Sequence, residues 1–212
     1  MTKQTTVFIV DDDKAVRDSL AWLVESAGVR VEAFDRADHL LERLDEMDRL
    51  PFGCIVADIR LPGMSGLDLQ DRLREMGVRL PFVVITGHGD VPLAVRAMKA
   101  GAVDFIEKPF SDRKLLDRIQ HALKHDEKRR LESASKQLLK RRIARLTARE
   151  RQVMEMVVQG RLNKQVAASL DLSPKTVEVH RAHVMEKMEA GSLAELVRMA
   201  VQLEGATETS NV

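Results

Sequence analysis

Cysteine, tyrosine and long apolar runs are scarce or absent in this 212-residue chain. There is no tyrosine, and the only cysteine is Cys54, within the apolar run CIVA at 54–57. This position predicts a buried structural thiol and excludes a disulfide framework and a cysteine-rich metal site. No run reaches the ~18 apolar residues that cross a bilayer. Three Asp follow the first apolar run at once, unlike a signal peptide, so we expect a cytoplasmic protein.

Charge is unevenly distributed along the chain. Lys and Arg number 17 against 21 Asp and Glu in residues 1–123, 9 against 3 in 124–145, and 8 against 8 in 146–204. We interpret these ranges as an acidic domain, a basic linker and a neutral domain, followed by a flexible tail at 205–212. The length suits one domain of about 120–150 residues and a smaller one.

Apolar runs alternate with amphipathic stretches as far as residue 123. The runs lie at 6–10, 29–34, 53–57, 81–85 and 103–106, and helical spacing follows each of them. Such alternation is typical of parallel βαβ units with right-handed crossovers. We therefore predict an α/β domain with a five-stranded, doubly wound parallel sheet.

Several predicted strands end in side chains that suit phosphate chemistry. Asp11 and Asp12 follow the first strand and Asp58 ends the third, while Thr86 and Lys108 come at the ends of the fourth and fifth. The carboxyl ends of parallel strands meet at one edge of a sheet, where such folds bind ligands. Three converging carboxylates require a cation, and their oxygens favour Mg2+. An acidic cluster, a hydroxyl and a lysine would suit a phosphoryl group on Asp58, although Asp58 taken alone could equally cap a helix.

Four motifs carry a family resemblance. The segments VDDD at 10–13, DIRLPGMSGLDL from Asp58, VVITGHGD at 83–90 and AMKAGAVDFIEKPF at 97–110 resemble the receiver domain of two-component response regulators, most of all its FixJ branch. The resemblance covers residues 5–123 without a gap. It implies a flavodoxin-like fold and a phosphoacceptor aspartate, which would be Asp58.

The resemblance also implies a role for each of the other strand-end residues. Asp12, Asp58 and the backbone carbonyl of Arg60 would ligate Mg2+ directly, and Asp11 would act through water. Thr86 and Lys108 would contact the phosphoryl group, and the Lys108–Pro109 bond is expected to be cis. Phe105 occupies the position of the family's aromatic switch, without the hydroxyl of a tyrosine. Asp13 is expected to cap the first helix.

The segment 123–145 contains neither Gly nor Pro and repeats leucines at helical spacing. It predicts a partly exposed helix or helical linker. Its excess of basic residues fits either a solvated helix or a basic arm that touches nucleic acid.

The chain after residue 146 is predicted to be all-α, with four helices. Thr147 and Glu150 form a capping box, and Ser173-Pro174 is a helix start. The segments LTARERQV, NKQVA and SPKTVEVHRAHVMEKM resemble the LuxR/FixJ-type helix-turn-helix DNA-binding domain. By that resemblance, the DNA-binding residues would be Lys164, Ser173, Lys175, Thr176, Glu178, Val179, Arg181 and Ala182. The apolar residues Val166, Ala167, Leu170, Leu172, Val177 and Val184 would form the core.

Together these features predict a phosphorylation-dependent transcription regulator. The expected partners are a sensor histidine kinase, promoter DNA, RNA polymerase and a second copy of the chain. No binding to a membrane is expected. The chain would be no enzyme beyond its own phosphorylation and dephosphorylation. One alternative is a Mg2+-dependent phosphohydrolase, which position 60 disfavours because it is Arg and not a second carboxylate. Another is a binding protein whose helical end docks on protein or RNA.

Overall fold

The computed structural model describes residues 5–48, 50–87 and 89–208, with backbone only from residue 203. Within these ranges, no helix combines the length and apolar character needed to cross a membrane. The chain divides into two compact units, residues 1–129 and 130–212.

The first unit is built on a five-stranded parallel sheet. Its strands are β1 (Thr5–Val10), β2 (Arg30–Phe34), β3 (Phe52–Asp58), β4 (Phe82–Thr86) and β5 (Asp104–Glu107), in the order β2-β1-β3-β4-β5. The five predicted strands are confirmed, and none of their ends differs from the prediction by more than one residue. The predicted α/β class and parallel topology are also confirmed.

Helices cover both faces of this sheet. They are α1 (Lys14–Ser26), α2 (Ala37–Asp45), α3 (Gly66–Glu75), α4 (Val91–Lys99) and the start of α5 (Asp112–Ala144). Successive side chains of a strand point to opposite faces. In β1, Phe8 accordingly packs in one buried cluster with Leu40 and Leu69, whereas Ile9 packs in another with Val24 and Ile119.

Helix α5 runs through the segment at 124–145, which was predicted as a helix or helical linker. Residues 124–144 of this segment are the continuation of a 33-residue helix that starts at Asp112. The change to basic composition near residue 124 does not end the helix, since charged residues are good helix formers and no Gly or Pro interrupts them.

The second unit contains the end of α5 and four further helices. These are α6 (Ala148–Val158), α7 (Asn163–Leu170), α8 (Pro174–Met188) and α9 (Leu193–Glu208). The capping box of Thr147 and Glu150 and the Ser173 N-cap are confirmed. Of the six predicted core residues, five are buried and Leu172 packs against them partly buried. Helix α9 extends to Glu208, into the segment predicted as a flexible tail, while residues 209–212 lie outside the described residues.

Candidate functional site

The carboxyl edge of the sheet gathers the acidic and basic side chains that the strand ends predict. Asp58 is the last residue of β3, which lies between β1 and β4, and Asp11 directly follows β1. Lys108 follows β5, and its backbone N–H donates to the carbonyl of Thr86 at 2.7 Å. The hydrogen bonding between β4 and β5 therefore continues one residue beyond the end of β5. The predicted cis peptide at Lys108–Pro109 is confirmed.

One ammonium group joins two carboxylates at the centre of this edge. Lys108 Nζ lies 2.7 Å from Asp11 Oδ2 and 2.7 Å from Asp58 Oδ2. The Asp11 side chain is 1% exposed and that of Lys108 is 22% exposed. Burial raises the pKa of Asp11, against the opposing effect of Lys108. Burial pulls the pKa of Lys108 down, but the bonds to Asp11 and Asp58 outweigh it and the pKa is raised.

The second oxygen of each carboxylate is held by the backbone. Asp58 Oδ1 accepts from the N–H of Arg60 at 3.0 Å, and Asp11 Oδ1 accepts from the N–H of Asp13 at 3.0 Å. Asp13 itself caps α1, as predicted, by accepting from the N–H groups of Ala15 and Val16. Both carboxylates are therefore fixed in orientation before any ligand binds.

The predicted triad of carboxylates is a pair in this structure. Asp12 is exposed, and in the described part of the chain no three His, Cys, Asp or Glu side chains form a group that could hold a metal ion. The physical reason is that Lys108 attracts the carboxylates of Asp11 and Asp58, while that of Asp12 is left to solvent. The donor chemistry nevertheless suits a hard divalent cation, because the paired carboxylates of Asp11 and Asp58 carry one negative charge more than the Lys108 ammonium balances, and the exposed carboxylate of Asp12 comes directly after Asp11.

Arg17 is a site residue that the sequence did not reveal. Its Nη1 donates to the backbone carbonyls of Asp11 at 2.7 Å and Asp12 at 3.3 Å. It thereby fixes the loop that presents both aspartates. Its only signal is its position on α1, four residues after the capping Asp13.

Thr86 and Phe105 lie close to each other on the neighbouring strands β4 and β5. Thr86 is fully buried at the end of β4, and Phe105 packs partly buried against the core. A Cβ atom added at Gly89 would lie 3.0 Å from Phe105 Cε1 and 3.5 Å from Thr86 Cγ2. The two predicted switch residues therefore border the same small space.

In the second unit, α7 and α8 form the predicted helix-turn-helix. Its candidate DNA-contacting residues are exposed apart from Thr176 and Arg181, which are half-buried. The Thr176 hydroxyl pairs with that of Ser173 at 2.8 Å. Arg181 Nη1 donates to Asn163 Oδ1 at 2.6 Å, so its guanidinium braces α8 against α7 as well as lying near the proposed DNA face.

Both units match known protein families. The family described as "Response regulator receiver domain" matches residues 7–120, and the one described as "Bacterial regulatory proteins, luxR family" matches residues 144–200. The chain belongs to the response regulators. This response regulator is 48% identical over 202 residues to the transcriptional regulatory protein FixJ of Bradyrhizobium diazoefficiens, covering 95% of this chain and 97% of the relative. It is 43% identical to the response regulator protein TodT of Pseudomonas putida strain F1, covering 97% and 89%.

Solved structures resemble this response regulator over almost its whole length. The response regulator StyR has a TM-score of 0.83 at 43% identity, covering 94% of this chain and 99% of that structure. Full-length FixJ from B. japonicum has a TM-score of 0.60 at 47% identity, covering 96% and 98%. The predicted resemblance is confirmed: the protein is a response regulator with a receiver domain and a LuxR-type DNA-binding domain.

Proposed function

We propose that Asp58 is the phosphoacceptor through which a sensor histidine kinase controls DNA binding by this protein. The observation that supports this most is the Lys108 ammonium, held 2.7 Å from Asp58 Oδ2 by a second, buried carboxylate. An acceptor needs a positioned carboxylate with positive charge beside it, because phosphoryl transfer depends mainly on positioning and charge neutralisation.

In the proposed reaction, an Asp58 oxygen attacks the phosphorus of a phosphohistidine. A P–O bond forms as the P–N bond breaks, and the imidazole leaves with the electron pair of that bond. Arg60 N–H holds the carboxylate at 3.0 Å, so one oxygen keeps its direction during attack. The Lys108 ammonium then transfers one of its hydrogen bonds from the Asp58 carboxylate to a phosphoryl oxygen. The Thr86 hydroxyl donates a second hydrogen bond to the phosphoryl group.

Mg2+ is the proposed cofactor of this step. Asp12, Asp58 and the carbonyl of Arg60 would bind it directly and Asp11 through water. When bound, the ion supplies positive charge to the phosphoryl oxygens. Arg17 orients Asp11 and Asp12 for this purpose by holding their carbonyls at 2.7 and 3.3 Å.

The α4–β5 surface is the proposed output of the receiver. Helix α4 exposes Val91 at 76%, Val95 at 45% and Met98 at 48%, an apolar row beside the strand that carries Phe105. A shift of Thr86 and Phe105 on phosphorylation would change this surface and favour a homodimer, to the extent that the phosphoryl group binds the active state more tightly.

The dimer would place two copies of α8 on a promoter with two half-sites. In each copy, Lys175, Glu178 and Val179 would face the major groove, where Glu178 can accept from cytosine. RNA polymerase is the proposed partner that recognises the dimer when it is bound to promoter DNA. These roles divide the chain into a receiver at 1–123, a linking segment at 124–145 and a DNA-binding domain at 146–204, in the cytoplasm.

The test compares wild type with Asp58→Asn and with Asp18→Asn, a matched removal of an exposed carboxylate on α1. Each protein is incubated with Mg2+ and acetyl phosphate, and duplex binding is selected from a random library. We expect the donor to dimerise wild type and Asp18→Asn and to tighten their selective binding, with no response from Asp58→Asn. The proposal would be contradicted if all three proteins bound DNA selectively with the same affinity in the presence and absence of acetyl phosphate.

A further inference from the structure

The end of α5 in the second compact unit carries basic side chains without acidic ones. Residues 133–145, the last part of α5 and the residue after it, include five Lys and Arg and no Asp or Glu. These cations are Lys136, Lys140, Arg141, Arg142 and Arg145. The helix-turn-helix domain from 146 to 204 has 8 basic and 8 acidic residues. The end of α5 therefore accounts for the positive charge of the DNA-binding unit.

Helical geometry separates these cations into two groups. Leu139 is buried and Arg142 is 15% exposed at its side chain, so this side of the helix faces the domain. Lys136, Lys140 and Arg141 are all exposed. Considering only the part of the chain that the structure describes, none of the three has a carboxylate within 4.0 Å. We call these three residues the α5 basic face.

Two ion pairs fix this part of α5 at one end of α8. The guanidinium of Arg142 is paired with Glu189, and Arg145 Nη1 lies 3.6 Å from Glu189 Oε1. Glu189 is the C-cap residue of α8. The end of α5 is therefore attached beside the C-terminal end of the recognition helix.

This position is close to where DNA phosphates should lie. The 15 residues of α8 span about 22 Å, whereas the major groove is about 12 Å wide. When the N-terminal part of a recognition helix contacts base edges, a helix this long extends to the sugar-phosphate rim. We propose that the α5 basic face binds backbone phosphates of duplex DNA, next to the bases that α8 contacts. This inference rests on the proposed DNA binding by α8.

Phosphate contacts would supply what the neutral helix-turn-helix domain lacks. Lysine and arginine contacts to phosphates position a protein on the duplex and carry no sequence information. They also release counterions, so each contact steepens the dependence of affinity on salt. The α5 basic face should therefore add affinity for every duplex equally and leave sequence preference to α8.

The experiment uses the full chain and removes the three charges together as Lys136→Gln, Lys140→Gln and Arg141→Gln. A control removes three exposed cations of the other unit, as Arg79→Gln, Lys114→Gln and Lys124→Gln. Fluorescence anisotropy measures binding to the selected site and to a scrambled duplex from 50 to 400 mM salt. The slope of log K against log salt concentration should flatten by about 0.9 for each lost phosphate contact, which weakens binding about eightfold per contact at 0.1 M.

The expected result is a flatter slope for the first triple variant alone, with the same ratio of affinities for selected and scrambled duplex as wild type. Equal slopes for wild type and both variants would overturn the inference and leave the α5 basic face to another acidic partner. A changed ratio would overturn it as well, because base readout would then involve these residues. If wild type shows no selective duplex binding, the proposed function itself fails, and this is seen before any variant is compared.

Discussion

Glu150 shows how much a single side chain can contribute to the DNA-binding unit. Its carboxylate is buried, accepts from Lys187 Nζ at 2.7 Å and from the N–H of Thr147 at 2.8 Å, and so joins α6 to α8. The bond from Lys187, followed by that from Thr147, lowers the pKa of Glu150 to about 2 from 4.5. A depressed pKa stabilises the folded state above the unfolded pKa, and this stability is lost as pH falls from about 4.5 through about 2.

Glu150→Gln should therefore destabilise this unit in a pH-dependent manner. Lowering the pKa of Glu150 from 4.5 to about 2 corresponds to about 3.4 kcal/mol of folding free energy, which we reduce to about 2 kcal/mol because the Lys187 side chain is 30% exposed to solvent. Urea unfolding should show this loss at pH 7 and a much smaller one near pH 2. Glu155→Gln, on the exposed side of α6, is the control and should change little. A loss that stays constant from pH 7 to pH 2 would show that the cap, not the charge, is responsible.

At the scale of elements, the loop between β3 and α3 leaves no room for a side chain at Gly66. A Cβ atom there would lie 2.1 Å from the backbone oxygen of Asp58, and the Gly66 N–H donates to the carbonyl of Ile59 at 2.9 Å. Because the obstacle is backbone, the loop must move to accept any substitution. The same loop supplies the Arg60 N–H that orients Asp58.

We expect Gly66→Ala to lower the free energy of unfolding by about 2–3 kcal/mol, as overpacking does. It should also slow phosphorylation of Asp58 by acetyl phosphate, since the carboxylate is displaced. Gly87→Ala is the matched control, because a Cβ at Gly87 meets nothing within 4 Å. Urea unfolding and a phosphorylation time course check the two effects. Equal stability of the two variants would refute the steric argument.

The elements also show what could be predicted from the sequence. Strand ends and helix caps were predictable because apolar runs and capping residues are local signals, and parallel strands bring Asp11, Asp58 and Lys108 to one edge. The continuity of α5 was not, because a change of charge resembles a domain boundary but does not break a helix. The bonds of Arg17 to two carbonyls and of Arg181 to Asn163 depend on side-chain positions in the fold, which no local pattern encodes.

At the scale of the whole molecule, each buried cluster found among the described residues lies within one compact unit. Two cover the faces of the sheet within residues 7–123, and the third lies within residues 143–199. Separate cores favour separate cooperative transitions, since cooperativity arises from packing within a core. Calorimetry should therefore resolve two transitions in the wild-type chain at pH 7.

The two variants should assign these transitions. A loss of 1 kcal/mol in the free energy of unfolding lowers the thermal unfolding midpoint by about 4–8 °C in a domain of 60–100 residues and by less in a larger domain. Glu150→Gln should therefore lower one midpoint by about 10 °C and leave the other in place, while Gly66→Ala should lower only the second. Because the first change lies in the unit from 130 to 212 and the second in that from 1 to 129, this crossed pattern identifies each core with its transition. Midpoints that fall together for both variants would mean that the two cores melt as one, and the division into independent units would be wrong.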